Sequence, residues 1–125
     1  MAQNAKQKLG KTGEDIATDY LIENKYRIIE RNWQTKWGEI DIVAVKKKVL
    51  IFVEVKTLNK NKTFFPEDEI APKKQKQLLK ITQIYLSKHK IPLSTPRQID
   101  VIAIEKSETD PPIIRHHQNA LVDFS

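Results

Sequence analysis

The chain has 125 residues, 39% hydrophobic and 30% charged, which suits one compact domain spanning 1–125 and leaves no room for a second. It contains no cysteine, which excludes disulfides and thiolate metal sites and fits a reducing compartment. A formal net charge of +6 favours a polyanionic partner, nucleic acid before an anionic membrane surface.

Residues 1–10 are polar and lysine-rich, lack the apolar stretch of a signal peptide, and are expected to be flexible. The spacing of Ile16, Ala17, Tyr20 and Leu21 predicts a helix over 12–24, with Thr12 as its N-cap. Residues 26–33, 39–45 and 49–57 read as three strands, the second opened by Gly38. The third is nearly unbroken in apolar character, which predicts burial on both faces and a central place in the sheet. Residues 59–72 carry Phe64, Phe65, Pro66 and Pro72 without periodicity and are expected to be a long loop, part of the approach surface for nucleic acid. A helix over 73–89, with Leu78, Ile81, Thr82, Tyr85 and Leu86 on one stripe, crosses over to a strand at 98–104 parallel to the third. A turn at Asp110, Pro111 and Pro112 precedes a short strand at 113–117. The expected order is α-β-β-β-α-β-β. The longest apolar stretches, 49–53 and 78–86, are too short to span a bilayer, so no membrane partner and a cytoplasmic location are expected.

Polar residues interrupt strands that otherwise call for burial. Leu50, Phe52, Glu54 and Lys56 share one strand face, as do Asp41, Val43 and Val45. A two-residue Lys47–Lys48 turn pairs Lys46 with Val49 and, by counting back, sets Asp41 opposite Glu54. A three-residue turn would send Asp41 to the other face. Two opposed carboxylates repel, and a hard cation such as Mg²⁺ or Mn²⁺ resolves the conflict while leaving positions for a phosphate. Lys56 is placed to orient water or to stabilise charge growing on that phosphate. Glu14 lies on the helix face of Ala17 and Leu21, aimed at the same place. Each residue also has a plainer reading: Glu54 and Lys56 as an ion pair, Asp41 as a turn cap or lysine partner, Glu14 as a first-turn acid favoured by the helix dipole.

The segments Gly13-Glu14-Asp15-Ile16-Ala17, Glu30-Arg31-Asn32-Trp33, Gly38-Glu39-Ile40-Asp41 and Phe52-Val53-Glu54-Val55-Lys56-Thr57 resemble a YraN-type uncharacterised bacterial family. Lys74-Gln75, Asp100-Val101, Pro112-Ile113, His117 and Asn119-Ala120 agree in order. The family is similar to archaeal Holliday-junction resolvases. The resemblance implies a restriction-endonuclease-like (PD-(D/E)XK) α/β fold, a mixed sheet flanked by helices. It implies Asp41, Glu54, Lys56 and Glu14 as catalytic residues of a nuclease. A magnesium or manganese ion would be held by Asp41, Glu54 and the Val55 backbone carbonyl, with Glu14 joining them. A homodimer is expected on the same ground, since a four-way junction presents two symmetric strands. One departure is Asn24-Lys25 where the family commonly has Gly before the Tyr; it is expected to change only the turn.

The expected function is therefore divalent-metal-dependent endonuclease hydrolysis of phosphodiester bonds in DNA, including branched or junction DNA. Alternatives are a nucleic-acid-binding protein with little or no catalysis and an interaction module of a repair or uptake complex; DNA and RNA are not distinguished. Lys46, Lys73, Lys74, Gln75 and Lys76 are candidate nucleic-acid contacts. Glu39 shares parity with Asp41 and reads either as an outer partner of the metal or as a solvated strand start. Asp100 is expected to pair with Arg97 or to anchor the first helix. His116 and His117 read as surface or packing residues, and Trp33 and Trp37 as packing residues with base stacking as the minority role.

Overall fold

The computed structural model describes residues 12–59 and 72–121. The expected flexible segment at 1–10 and the Phe64–Phe65 loop lie outside these residues. Helix α1 (Gly13–Glu23) opens at Thr12, whose hydroxyl accepts from the Asp15 N–H at 3.1 Å while the Asp15 carboxylate accepts from the Thr12 N–H at 3.3 Å. This reciprocal capping box satisfies donors that a helix start otherwise leaves unpaired. The helix ends with Lys25 N–H donating to the Ile22 carbonyl and Tyr26 N–H to the Leu21 carbonyl, at 3.1 and 2.9 Å. That ending holds Lys25 at φ +71°, a left-handed position where glycine is the less strained choice.

Strands β1 (Arg27–Thr35), β2 (Gly38–Lys46) and β3 (Val49–Asn59) follow, then helix α2 (Pro72–Lys88), β4 (Arg97–Lys106) and β5 (Ile113–His117). The element order is the expected one. Pro72, assigned by its sequence to a loop, is instead the first residue of α2, where its missing N–H is unneeded and its fixed φ suits the first turn. The five strands form one sheet in the order β1-β2-β3-β4-β5. Neighbours are antiparallel except β3 and β4, which run parallel and are joined through α2. β3 is central, as its apolar run predicts.

Both faces of the sheet are covered. Leu78, Ile81, Tyr85 and Leu86 of α2 pack with Val43, Phe52 and Ile99 on one side. Ala17 and Leu21 of α1 pack with Ile42, Ala44, Val53, Ile102 and Ile104 on the other. The result is a mixed α/β fold with a five-stranded mixed sheet flanked by helices. Among the described residues, no helix is long and apolar enough to cross a membrane.

Asp100, 0% exposed, ties three elements together. It accepts from Gln98 Nε2 at 2.8 Å and from the Asn119 backbone N–H at 2.9 Å, and it pairs with His116 Nε2 at 2.7 Å. His116 Nδ1 in turn meets the Tyr20 hydroxyl of α1 at 3.0 Å. Of the two expected roles for Asp100, anchoring the first helix is the one the structure shows, through His116. Arg97 instead donates to the Leu93 carbonyl at 2.6 Å.

The β2–β3 turn has the expected two residues. Lys47 and Lys48 adopt φ +50° and +67°, and Lys46 pairs with Val49. Left-handed conformation at both central residues matches the twist of the flanking strands. From there the pairing runs to Ile42 opposite Val53, where the regular ladder ends with Asp41 and Glu54 as the next residues on their strands.

Regular alternation breaks at the same level. Ile40 packs with the α2-side cluster, whereas Ile42 packs with the α1-side cluster. Residues two apart on a regular strand share a face, so β2 is irregular at Asp41, between them. Across the ladder, Asn32 lies between the Arg31–Ile42 and Trp33–Ile40 pairs and has φ +53°. Asparagine tolerates that left-handed geometry better than most residues. Both strands are thus deformed where the acids gather.

Candidate metal centre

Asp41 and Glu54 are each 7% exposed. The two carboxyl groups are close enough that each affects the other's ionisation. The Val55 backbone N–H donates to Asp41 Oδ2 at 2.8 Å, so a side-chain oxygen takes a strand N–H at this point. Burial, then repulsion from Glu54, push Asp41 up to about 7, against the Val55 hydrogen bond that favours its anion. Burial also raises Glu54, opposed by Lys74 and Lys56. Burial therefore favours the protonated form of both acids.

A second group of acids meets Asp41 from the other direction. Glu14, Glu39 and Asp41 each offer a carboxylate oxygen, and these lie within 4.8 Å of one another. Burial is the main cause that raises Glu14, followed by the charges of Asp41 and Glu39. Asp41 is therefore the shared member, with Glu54 on one side and Glu14 and Glu39 on the other. Such a donor set, all hard oxygens with more negative charge than its surroundings neutralise, could hold a metal ion. Of the two readings of Glu39, the geometry favours a partner in the acid cluster.

The elements that place Glu14 are specific. A Cβ on Gly13 would lie 1.9 Å from Thr57 Oγ1, 3.1 Å from its Cβ and 3.2 Å from its Cγ2. Because all three atoms crowd the position, rotating the threonine does not make room. Gly13 thus lets the start of α1 rest against β3 one residue beyond Lys56. Arg31 of β1 pairs with Asp15 at 2.9 Å, and its neighbour Asn32 lies near enough to Glu14 to favour its anion. Sequence reasoning assigned no role to Asn32; an Asn at a strand position with β-disfavouring propensity was the available signal.

On the α2 side, Lys74 Nζ lies 3.8 Å from Glu54 Oε1. Lys56 is partly buried on β3 and its charge also favours the Glu54 anion. Gly38, at φ +139°, opens β2 where a Cβ would approach Gln77 Nε2 and Ile81 Cδ1 to 2.8 Å each, so β2 and α2 meet closely here. Lys73, Lys74, Lys76, Gln77 and Lys80 of α2 line a cleft of ≈ 510 Å³ with Trp37. Gln75 is half-buried on the same helix. Lys46 is not brought to the centre: its ammonium sits 4.5 Å over the Tyr26 ring. It lies five residues along β2 from Asp41, roughly 17 Å at strand rise. A separate pocket of ≈ 360 Å³, lined by Phe52, Gln83, Arg97 and Asn119 among others, contains no acid.

A sequence model of the uncharacterised protein family UPF0102 matches residues 13–104. A UPF0102 protein of Geotalea uraniireducens is 41% identical over 112 residues, covering 90% of this chain and 87% of its own length. One from Syntrophotalea carbinolica is 43% identical over 98 residues, covering 78% and 79%. Among solved structures, that of Pyrococcus furiosus SfsA in complex with Ca²⁺ is similar at TM-score 0.43 and 16% identity. The match covers 94% of this chain and spans 65% of that one.

Proposed function

The chain belongs to the UPF0102 family, and from the chemistry of its own site we propose that it is a divalent-metal-dependent nuclease. The observation that supports this most is the buried Asp41–Glu54 carboxyl pair, joined by Glu14 and Glu39 and flanked by Lys74. An acid on one strand and Glu-x-Lys on its neighbour also fit the restriction-endonuclease-like fold that the sequence resemblance implies.

Asp41, Glu54 and the Val55 carbonyl would hold the cation, with Glu14 and Glu39 next to them. Mg²⁺ or Mn²⁺ fits this oxygen set better than a thiophilic metal. When bound, it supplies Lewis-acid polarisation of a phosphate and a lower pKa for an attacking water. To act as ligands Asp41 and Glu54 would release to solvent the protons that burial favours on them. The Val55 N–H keeps the Asp41 carboxylate oriented through that change. Lys56 stands beside Glu54 and stabilises charge that develops on the scissile phosphate. Lys74 balances Glu54 before loading and is free to turn to a phosphate afterwards. DNA is the proposed substrate, in a basic chain of net charge +6.

The test is a cleavage panel of linear duplex, single-stranded, flapped and four-way junction DNA, with matching RNA, in Mg²⁺, Mn²⁺ or EDTA. Cleavage of at least one substrate in Mg²⁺ or Mn²⁺, and none in EDTA, is expected. Tight binding with no cut in either metal would make the chain a binding protein and overturn the hydrolytic reading.

A further inference from the structure

Trp37 has no part in the acid centre, yet its placement is well defined. It occupies the two-residue turn between β1 and β2 and is 45% exposed, although large apolar side chains gain most from burial. The turn around it is pinned. Trp37 N–H donates to Thr35 Oγ1 at 3.0 Å, the Thr35 hydroxyl donates to the Gly38 carbonyl at 2.9 Å, and the Trp37 carbonyl accepts from Gln77 Nε2. The ring is thus presented from a fixed backbone. Lys36 and Lys80 hold their ammonium groups over the ring, 4.5 and 4.9 Å from its centroid, so a base that stacks on Trp37 displaces one of these flexible side chains.

Among the described residues, the surroundings are one-sided in charge. Lys73, Lys74, Lys76 and Lys80 line the cleft beside Trp37 and Gln77, and no acid is among these lining residues. Lys73, Lys76 and Lys80 recur at three- and four-residue steps, so they share a helix face, where like charges repel. Lys73, Lys74 and Lys76 also crowd the start of α2, the end where the helix dipole disfavours cations. A polyanion lying along this face relieves both conflicts. Lys74 belongs to the cleft and also to the Glu54 ion pair, so the cleft leads into the acid centre.

We propose that Trp37 is a stacking platform for an unpaired base, on a strand whose phosphates follow Lys73, Lys76 and Lys80 toward Glu54. The substrate class is then nucleic acid with a single-stranded segment beside the point of attack. A base inside a duplex is already stacked on its neighbours and offers Trp37 no free face. This deepens the nuclease reading and rests on it for the nucleic-acid ligand, although not for turnover.

The experiment measures binding in EDTA, where no cut occurs, using a short oligothymidylate and a blunt duplex of equal length. Oligothymidylate is expected to quench wild-type tryptophan emission. In Trp37→Phe the affinity is largely kept and the quenching is lost, because the remaining Trp33 packs against Tyr85 with centroids 5.0 Å apart. Trp37→Ala is expected to weaken oligothymidylate about tenfold and the duplex less than about twofold. Equal affinity of wild type and Trp37→Ala for the single strand, or equal losses on both ligands, would overturn the platform and leave the acid centre untouched. Failure of wild type to bind either oligonucleotide would overturn both the platform and the nucleic-acid reading. A Trp37 effect in a protein that never cleaves would remove hydrolysis alone.

Discussion

Asp41→Asn and Glu54→Gln are each expected to lower metal-dependent cleavage about a thousandfold, a loss of roughly 4 kcal/mol of transition-state stabilisation. Both replacements keep size and hydrogen-bonding capacity, and the new amide at position 41 still offers an oxygen to the Val55 N–H. Each removes a formal negative charge from the proposed cation site. On that proposal the two acids hold one ion, so the double variant is expected to lose little more than either single one. Lys56→Ala keeps the donor set and is expected to lose about a hundredfold, with unchanged metal affinity. Single-turnover rates at one fixed Mn²⁺ concentration that saturates wild type check all four variants. Cleavage persisting in both single variants would show that the cut is made elsewhere.

Asp41→Asn is also expected to stabilise the metal-free protein at alkaline pH. Asp41 is raised from its ordinary 3.8 to about 7, first by burial and then by Glu54. A group whose folded pKa is raised holds its proton more tightly in the folded state. Its contribution to stability is complete below the unfolded value near 4 and is lost as the pH rises through about 7. Each unit of separation corresponds to about 1.4 kcal/mol, so wild type is expected to lose on the order of 2–4 kcal/mol from this group between pH 4 and pH 8. Glu54 is shifted in the same direction and adds to the slope. Asp41→Asn cannot ionise and is expected to show a flatter profile, with little advantage at pH 4 and a clear one at pH 8. Urea unfolding in EDTA at the two pH values measures it. A variant less stable than wild type at pH 8 would mean that the buried charge is already well compensated. An inactive variant that is more stable than wild type has not lost activity by unfolding, so stability and cleavage are best measured on the same protein.

Much of this was legible in the residues, for local reasons. Thr12 with Asp15 announces a capping box, and the apolar run of β3 announces a central strand. A two-residue Lys47–Lys48 turn fixes the register by counting alone as far as Ile42 opposite Val53, with Asp41 and Glu54 next in line. What counting could not deliver was the departure from regularity at that spot. The sides taken by Ile40 and Ile42, and the left-handed Asn32 across from Asp41, depend on how two strands pack against two helices. Parity with Asp41 already offered Glu39 as a partner of the site, and its place in the cluster with Glu14 and Asp41 agrees with that reading. The Lys74–Glu54 pair needs α2 docked on the sheet, and the Tyr20–His116–Asp100 network joins α1 to a strand 96 positions further along the chain. Pro72 shows the limit from the other side. Proline marks a boundary well, yet whether it ends a loop or starts a helix depends on the packing of the residues after it.

The most direct test of the metal centre is a calorimetric Mn²⁺ titration at about pH 7.5, near the raised Asp41 value, of wild type, Asp41→Asn and Glu54→Gln. Wild type is expected to bind Mn²⁺ with release of protons, seen as heats that change with the ionisation enthalpy of the buffer, and both variants are expected to lose that binding. Equal Mn²⁺ affinity in wild type and either variant would contradict the assignment of Asp41 and Glu54 as the residues that hold the ion.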